Sequence, residues 1–221
     1  MAASNVWRVD LHLHTHYSRD CAVSPQRLIQ AARERGLSRI AITDHNRIAG
    51  ALEAHAIAPD FVIVGEEIKT DSGELLAYFI REEIPAGLSP EETIHRIREQ
   101  GGVVGVSHPL DQLRREAMGR DVLLRILRQV DCLEVFNARV VWPPDNARAL
   151  AFAREYGLLG TAGSDAHSVY EVGRAYVEVP PFAGPAEFLQ ALKQGRAEGR
   201  LSTPLVHLIS TVNKLRRRSA R

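Results

Sequence analysis

A chain of 221 residues, 45% apolar and 25% charged, has the size and composition of one folded domain with a full core and needs no disulfide or metal staple to hold it. Its 28 basic and 27 acidic residues nearly cancel, which excludes a polyanion-coating protein, and no apolar run approaches the roughly 18 residues of a membrane helix. The start MAASNVWRVD lacks the apolar core of an export signal, and Cys21 and Cys132 are far apart, so a cytoplasmic protein without a disulfide framework is expected.

The chain reads as strands alternating with helices. VWRVDL is a strand, and SPQRLIQAARERG is a helix with Ser24 as N-cap and Pro25 at the first helical position. RIAIT follows as a short buried strand, then a helix over 48–56, then the strands FVIVG and ELLAYFI. Ser89, Pro90, Glu91 and Glu92 have the pattern of a capping box, opening a helix that Gly101 and Gly102 end. Next come the strand VVGVS, the helix DVLLRILRQ, the strand CLEVF, a helix over 146–156 and the strand LLGTAG. RAYVEV is expected as an edge strand and PAEFLQALKQG as a closing helix. Short apolar strands linked by helices predict a mostly parallel sheet, either a closed barrel or an open doubly wound sheet.

The residues that carry chemistry cluster at the predicted C-terminal ends of these strands. His12 and His14 follow the first strand, Asp44 and His45 the second, Glu66 and Glu67 the third. His108 follows VVGVS, Asn137 and Arg139 follow CLEVF, and Asp165 and His167 follow LLGTAG. In parallel α/β folds those ends share one face, where active sites are built. Mixed imidazole and carboxylate donors suit Zn, Mn or Fe. His12 and His14, two apart in an extended segment, point to one side and can share one ion, and Asp165 and His167 have the same spacing. A carboxylate such as Glu67 can bridge a pair of ions, which suits phosphoryl transfer to water. His55 and His95 fall within helices and are expected to face solvent, whereas His16 joins the pair only if the first strand continues past His14. Cys132 is expected as a packed core thiol, and Cys21 lies beside the first histidine motif.

DLHLHTHYSRD, AITDHN, GEEI, SHPL and GSDAH, in this order, resemble the PHP family, named for polymerase and histidinol phosphatase, over roughly residues 8–180. The resemblance implies one domain over 1–201 folded as a distorted (β/α)7 TIM-like barrel, and a phosphoesterase using two or three divalent ions. It implies His12, His14, Glu67 and Asp165 as ligands of a first ion, with Glu67 as the bridge. It further implies His108 on a second ion, and Asp20, His45 and His167 on a third, with Asp44 orienting a neighbouring ligand. Many members carry a further histidine after the bridging glutamate, but Leu75 and Leu76 stand here, and Glu74 is the candidate substitute. Cys21 replaces a glycine common in the family.

The expected reaction is hydrolysis of a phosphate ester by a metal-activated water, with Glu67, Asp165 and His167 at the reacting centre. Arg139 is the expected phosphate anchor, Lys69 a weaker one, and His167 or His16 the candidate proton donor. Expected substrates are small phosphorylated molecules, nucleotides or short oligonucleotides among them. A metal-dependent amide or lactone hydrolase is the alternative enzyme, and a metal-containing binding module the alternative without turnover. The remainder, 202–221, is expected as a C-terminal helix whose Leu205, Leu208, Ile209, Val212 and Leu215 pack on the barrel, ending in the basic run 214–218. Contact with nucleic acid or a membrane surface through that run is the lesser expectation.

Overall fold

Six parallel strands form the frame of a nearly closed barrel: β1 (Trp7–Leu13), β2 (Arg39–Ile42), β3 (Val62–Thr70), β5 (Val103–Val106), β6 (Cys132–Asn137) and β7 (Leu159–Gly163). The structure is a computed structural model that describes residues 6–218; residues 1–5 and 219–221, and the side chains of Ile209, Arg217 and Arg218, lie outside the described part. The fold is a single mixed α/β domain.

The expected all-parallel sheet is corrected at one place. ELLAYFI forms β4 (Gly73–Tyr78), which runs antiparallel between β3 and β5. Only Asp71 and Ser72 separate β3 from β4, too few residues for a parallel crossover, so the chain turns back as a hairpin. RAYVEV forms β8 (Ala175–Val179) but is no edge strand: it lies antiparallel between β1 and β9 (Arg196–Gly199), which sequence reading missed. Closure comes from the other end of β1. There the Asp165 amide donates to the His12 carbonyl at 2.8 Å and the His14 amide to the Ala166 carbonyl at 3.1 Å. The strand-end loops of β1 and β7 are therefore stitched together.

Helices α1 (Pro25–Glu34), α2 (Ala49–Ile57), α3 (Pro90–Glu99), α4 (Gly119–Ile126) and α5 (Pro144–Tyr156) cover the sheet. Ser24 caps α1 as expected, its hydroxyl accepting from the Arg27 amide, while Leu28, Ile29 and Ala32 face the core. At α3 the Ser89 hydroxyl accepts from the Glu92 amide, but the Glu92 carboxylate turns to Arg96 one turn on. The main core lies between these helices and the sheet, and a smaller one of Val9, Leu11, Ile63, Leu76 and Tyr78 meets Phe188 and Leu192 of α6 (Pro185–Leu192).

Alternation along β3 puts Val62, Val64 and Ile68 in the main core and Ile63 in the smaller one, so Glu67 shares the face of Ile63 and Glu66 the other. On β1 strict alternation would split its functional residues from that face. The register of β1 on β2 shifts between Asp10 and Leu13, and Leu13 joins the main core while Leu11 stays in the smaller one. This irregularity re-aims His12 and His14 together into the cleft. No helix of the described residues is long and apolar enough to cross a membrane.

Helix α7 (Val206–Arg218) corrects a second expectation. Leu205, Leu208, Val212 and Leu215 are exposed, and the side of α7 that meets the barrel carries His207, Ser210 and Asn213. The polar face wins because it faces the buried Arg139, whose guanidinium needs acceptors that leucines cannot provide.

Candidate metal centre

His12 and His14 enter the cleft from the end of β1 with both Nδ1 atoms already engaged. His12 Nδ1 lies 2.9 Å from Glu134 Oε1 on β6, and His14 Nδ1 lies 3.3 Å from Ser18 Oγ. These contacts leave the two Nε2 atoms to face the cleft, where both are buried without a hydrogen-bond partner. They approach the same atom, Glu67 Oε2, at 3.3 and 3.5 Å. That carboxylate oxygen is itself an unpartnered buried atom. His14 Nε2 is also 3.3 Å from Asp165 Oδ1.

The remaining candidates close around this point. His45 Nδ1 is 2.9 Å from Glu67 Oε2, and His108 Nε2 is 3.0 Å from Glu67 Oε1. Glu67 thus lies among four imidazoles from three strand ends, those of β1, β2 and β5. Asp20 reaches His45 at 3.6 Å and His167 at 3.4 Å, forming an adjoining group. The structure brings together every residue expected as a ligand: His12, His14, Asp20, His45, Glu67, His108, Asp165 and His167. His16 is left out, because the chain turns after β1 and its ring stacks on Tyr17. His55 on α2 is half-buried against the Val62 carbonyl of β3, where solvent exposure was expected, and His95 faces solvent beside Glu99.

Glu74, the candidate substitute for the missing histidine, lies on the cleft side of β4. It pairs with Lys69 in the β3–β4 register and shares the face of Leu76, so its carboxylate turns into the cleft while Leu75 joins the outer core. Glu74 Oε2 stands 3.6 Å from His108 Nε2. Among the described residues three donor sets have their ligand atoms within 4.8 Å of one another: His12, His14 and Glu67; His14, His45 and His167; and His45, Glu67 and Glu74.

The charges of this cluster are frustrated without a cation. Burial penalises the imidazolium of His12, yet Glu67, Glu134 and Asp165 outweigh it and raise His12 well above its ordinary value. Burial together with His167 and His45 drives His14 well below. Burial favours a neutral Glu67, but His12, His45 and His108 hold it well below the usual carboxylate range. Burial and the charge of Glu67 push Glu74 up to about 7. Neighbouring groups are thus forced into opposite protonation states, and unpartnered Nε2 and carboxylate oxygens converge. These residues fit divalent ions, which satisfy both donor types at once.

Outer residues hold the donors in place. Asp44 accepts from the Thr15 amide at 2.7 Å and from the Ser18 amide and hydroxyl at 3.2 and 2.6 Å. Asp44 is thereby linked to His14 through the Ser18 hydroxyl. A Cβ at Gly50 would collide with Asp44 and Thr15, and one at Gly163 with His12 and Glu134, so both approaches need glycine. The backbone is strained where donors leave their strands, with φ of 27° at His108 and 52° at Asp165. Cys21 is buried with its sulfur 3.3 Å from the His14 carbonyl and 3.4 Å from that of His167, and burial pushes its thiol up to about 12.

Arg139 lines the cleft, but its guanidinium is already engaged. It is buried, and its guanidinium donates to Ser210 Oγ at 2.7 Å and the Val206 carbonyl at 3.1 Å, with Glu171 at 3.2 Å and with His167 Nδ1, itself 2.8 Å from the Asp165 carbonyl, at 2.6 Å. The residue passed over in sequence is Arg114, whose Nη2 is 2.5 Å from Asp165 Oδ2. Arg47, Lys69, Arg114 and Lys214 line the cleft of about 820 Å³ around the donors. The signal for Glu134 was present, a lone acid within the apolar strand CLEVF, but Arg114 and Lys214 had no local signal.

The fold and the cleft together define an α/β barrel whose strand ends carry a His–carboxylate centre suited to metal ions. A PHP domain family model matches residues 10–85, and a PHP-associated one matches residues 143–197. The uncharacterized protein MJ0417 of Methanocaldococcus jannaschii is 37% identical over 196 residues, 84% of this chain and 79% of that protein. A candidate metal-dependent phosphoesterase from Bifidobacterium adolescentis has a similar structure, with TM-score 0.60 and 23% identity over 72% of this chain and 87% of the other. A two-domain protein from Bacteroides vulgatus, containing a predicted PHP-like metal-dependent phosphoesterase, gives 0.71 and 17% over 88% and 65%. An amidohydrolase from Chromobacterium violaceum with bound sulfate and no metal gives 0.63 and 19% over 83% and 96%. At these identities the solved structures establish the fold. The chain belongs to the PHP family.

Proposed function

We propose that this protein hydrolyses phosphate esters with the help of divalent metal ions held in the strand-end cleft. The observation that carries this reading is the convergence of His12, His14, His45, His108 and His167 on Asp20, Glu67, Glu74 and Asp165, with unpartnered donor atoms turned inward. His12, His14, Glu67 and Asp165 would hold a first ion. Glu67, His108 and Glu74 would hold a second, and Asp20, His45 and His167 a third. When bound, such ions lower the pKa of a water and neutralise charge on a phosphoryl group.

The chain's own residues supply orientation and charge. Glu134 fixes the tautomer and direction of His12, and Ser18, held by Asp44, does the same for His14. The Arg114 guanidinium, 2.5 Å from Asp165 Oδ2 and lining the cleft, would face a bound phosphate, whose oxygens its fork suits. In this reading Arg139 is a positioning residue: its guanidinium packs beside His167, whose Nδ1 donates to the Asp165 carbonyl and leaves a bare Nε2 facing Asp20.

The fold is shared with an amidohydrolase, so amide or lactone hydrolysis is the second reading. The guanidinium and ammonium groups around the cleft favour an anionic substrate instead. A panel of phosphate esters, lactones and lactams, assayed after metal stripping and reloading with Mn, Zn, Fe or Mg, tests both. Metal-dependent turnover of a phosphate ester is expected. Turnover confined to lactones or lactams overturns the phosphoesterase reading, and bound metal with no turnover on any substrate leaves a binding module.

A further inference from the structure

Helix α7 grips the cleft at two points. On one side Arg139 donates to the Val206 carbonyl and to Ser210 Oγ, and His207 Nε2 lies 3.1 Å from the Arg139 carbonyl. On the other side Asn213 Nδ2 donates to the Asp20 carbonyl at 3.1 Å, and Lys214 Nζ lies 3.0 Å from Asp20 Oδ2. The helix therefore brackets the group formed by Asp20, His45 and His167, and its contacts set where the ammonium sits. The exposed leucines on its far side take no part in this.

The charges of the cleft then decide what it can hold. Asp20, Glu67, Glu74 and Asp165 carry four negative charges when all are ionised, so two divalent ions would balance them and a third would leave the cleft positive. Arg114 and Lys214 each reach one of those carboxylates, Asp165 at 2.5 Å and Asp20 at 3.0 Å. A metal ion on either carboxylate takes the negative charge that now holds its cation. Lys214 then flanks the metal positions without a second carboxylate partner among the described residues, while Arg114 keeps Asp111, 3.4 Å from its Nε. An excess of positive charge there favours the more highly charged anion, and a phosphomonoester carries about −2 near neutral pH. A phosphodiester carries one charge and has one fewer terminal oxygen.

We infer that Lys214 is a substrate-binding residue which, with Arg114, makes the cleft selective for the dianionic end of a phosphomonoester. This rests on the phosphoesterase reading above. It also makes α7 part of the active site, not an appendage to it.

The test uses the full-length, manganese-loaded protein and its Lys214→Gln, Lys214→Arg and Arg216→Gln variants. Calorimetry with inorganic phosphate and with dimethyl phosphate reads binding apart from turnover. Kinetics on p-nitrophenyl phosphate and bis(p-nitrophenyl) phosphate read selectivity, and elemental analysis reads metal content. Loss of one charge-assisted hydrogen bond predicts that Lys214→Gln weakens inorganic phosphate binding and raises KM for the monoester about tenfold. Dimethyl phosphate binding, diester KM and metal content stay as in the parent, Lys214→Arg restores most of the loss, and Arg216→Gln behaves as the parent. Unchanged phosphate binding and monoester KM in Lys214→Gln overturn the inference. Equal loss on monoester and diester, or loss of metal, also overturns it, since Lys214 would then serve only general charge or the placement of Asp20. Turnover indifferent to Lys214 removes this inference alone. Lys214-dependent phosphate binding without turnover of any ester upholds the dianion site and removes the phosphoesterase reading, and absence of both removes both.

Discussion

Glu134 Oε1 lies 2.9 Å from His12 Nδ1, and Glu134 Oε2 accepts the His108 amide at 2.8 Å, so one buried carboxylate orients donors from two strands. With Nδ1–H committed to Glu134, His12 presents a bare Nε2 to the cleft, the form that binds a cation. Replacing the carboxylate by an amide removes the charge that favours this tautomer and lets the side chain donate instead. Glu134→Gln is expected to lower metal affinity about 10–100-fold, read by competition with a chelator of known affinity. Unchanged affinity would show that His12 is oriented by something else.

The two adjacent glutamates of β3 should behave in opposite ways. Glu67 stands among His12, His14, His45 and His108, whereas Glu66 faces the other side and accepts only the Ile84 amide. Outer partners of metal ligands are already worth about 10–100-fold, so Glu67→Gln is expected to cost more than roughly 100-fold in turnover. Glu66→Gln should change it little. Comparable losses in the two variants would reverse the assignment of faces.

Glu66 also makes a pH prediction. Burial raises its carboxyl from 4.5 to about 8. The folded state then holds a proton that the unfolded chain has released, and stability falls as pH rises across that window. Glutamine imitates the protonated form, so Glu66→Gln should flatten the decline in unfolding free energy between these pH values. Denaturant titrations at pH 5 and pH 8 check it, and an unaltered slope would refute it.

Glu74 should set the occupancy of the second ion. Its carboxylate is 3.6 Å from His108 and belongs to the donor set with His45 and Glu67. Glu74→Ala is expected to lose one bound equivalent and to make activation by added metal biphasic, while Glu74→His retains it. Metal titration with activity and elemental readouts distinguishes these. Full occupancy of the alanine variant would place the missing ligand elsewhere.

Metal should also stabilise the fold. A ligand that binds only the folded state at 100 times its dissociation constant adds about 2.7 kcal/mol. For a chain of this size that corresponds to a rise in Tm of roughly 5–10 °C. Scanning calorimetry with and without chelator measures it, and coincident transitions would mean that the cluster binds metal weakly or not at all.

Much of this architecture was legible along the chain. Proline and serine at Ser24 and Ser89 mark helix starts, and histidines after successive apolar strands mark one chemical face, because caps and period are written in neighbouring residues. The alternation of β3 likewise separates Glu67 from Glu66. Other features depended on which distant segments meet. The antiparallel place of β4 turns Glu74 into the cleft, and the register shift in β1 carries His12 and His14 there together. The buried guanidinium of Arg139 draws the polar face of α7 onto the barrel and leaves its leucines outside. Arg114 and Lys214 reach Asp165 and Asp20 across 51 and 194 positions of sequence respectively. Local pattern determines elements and faces because it depends on short-range sterics and hydrogen bonds. Which charge opposes which carboxylate is decided only when the barrel closes, since the electrostatic and desolvation terms that select those partners arise from burial itself.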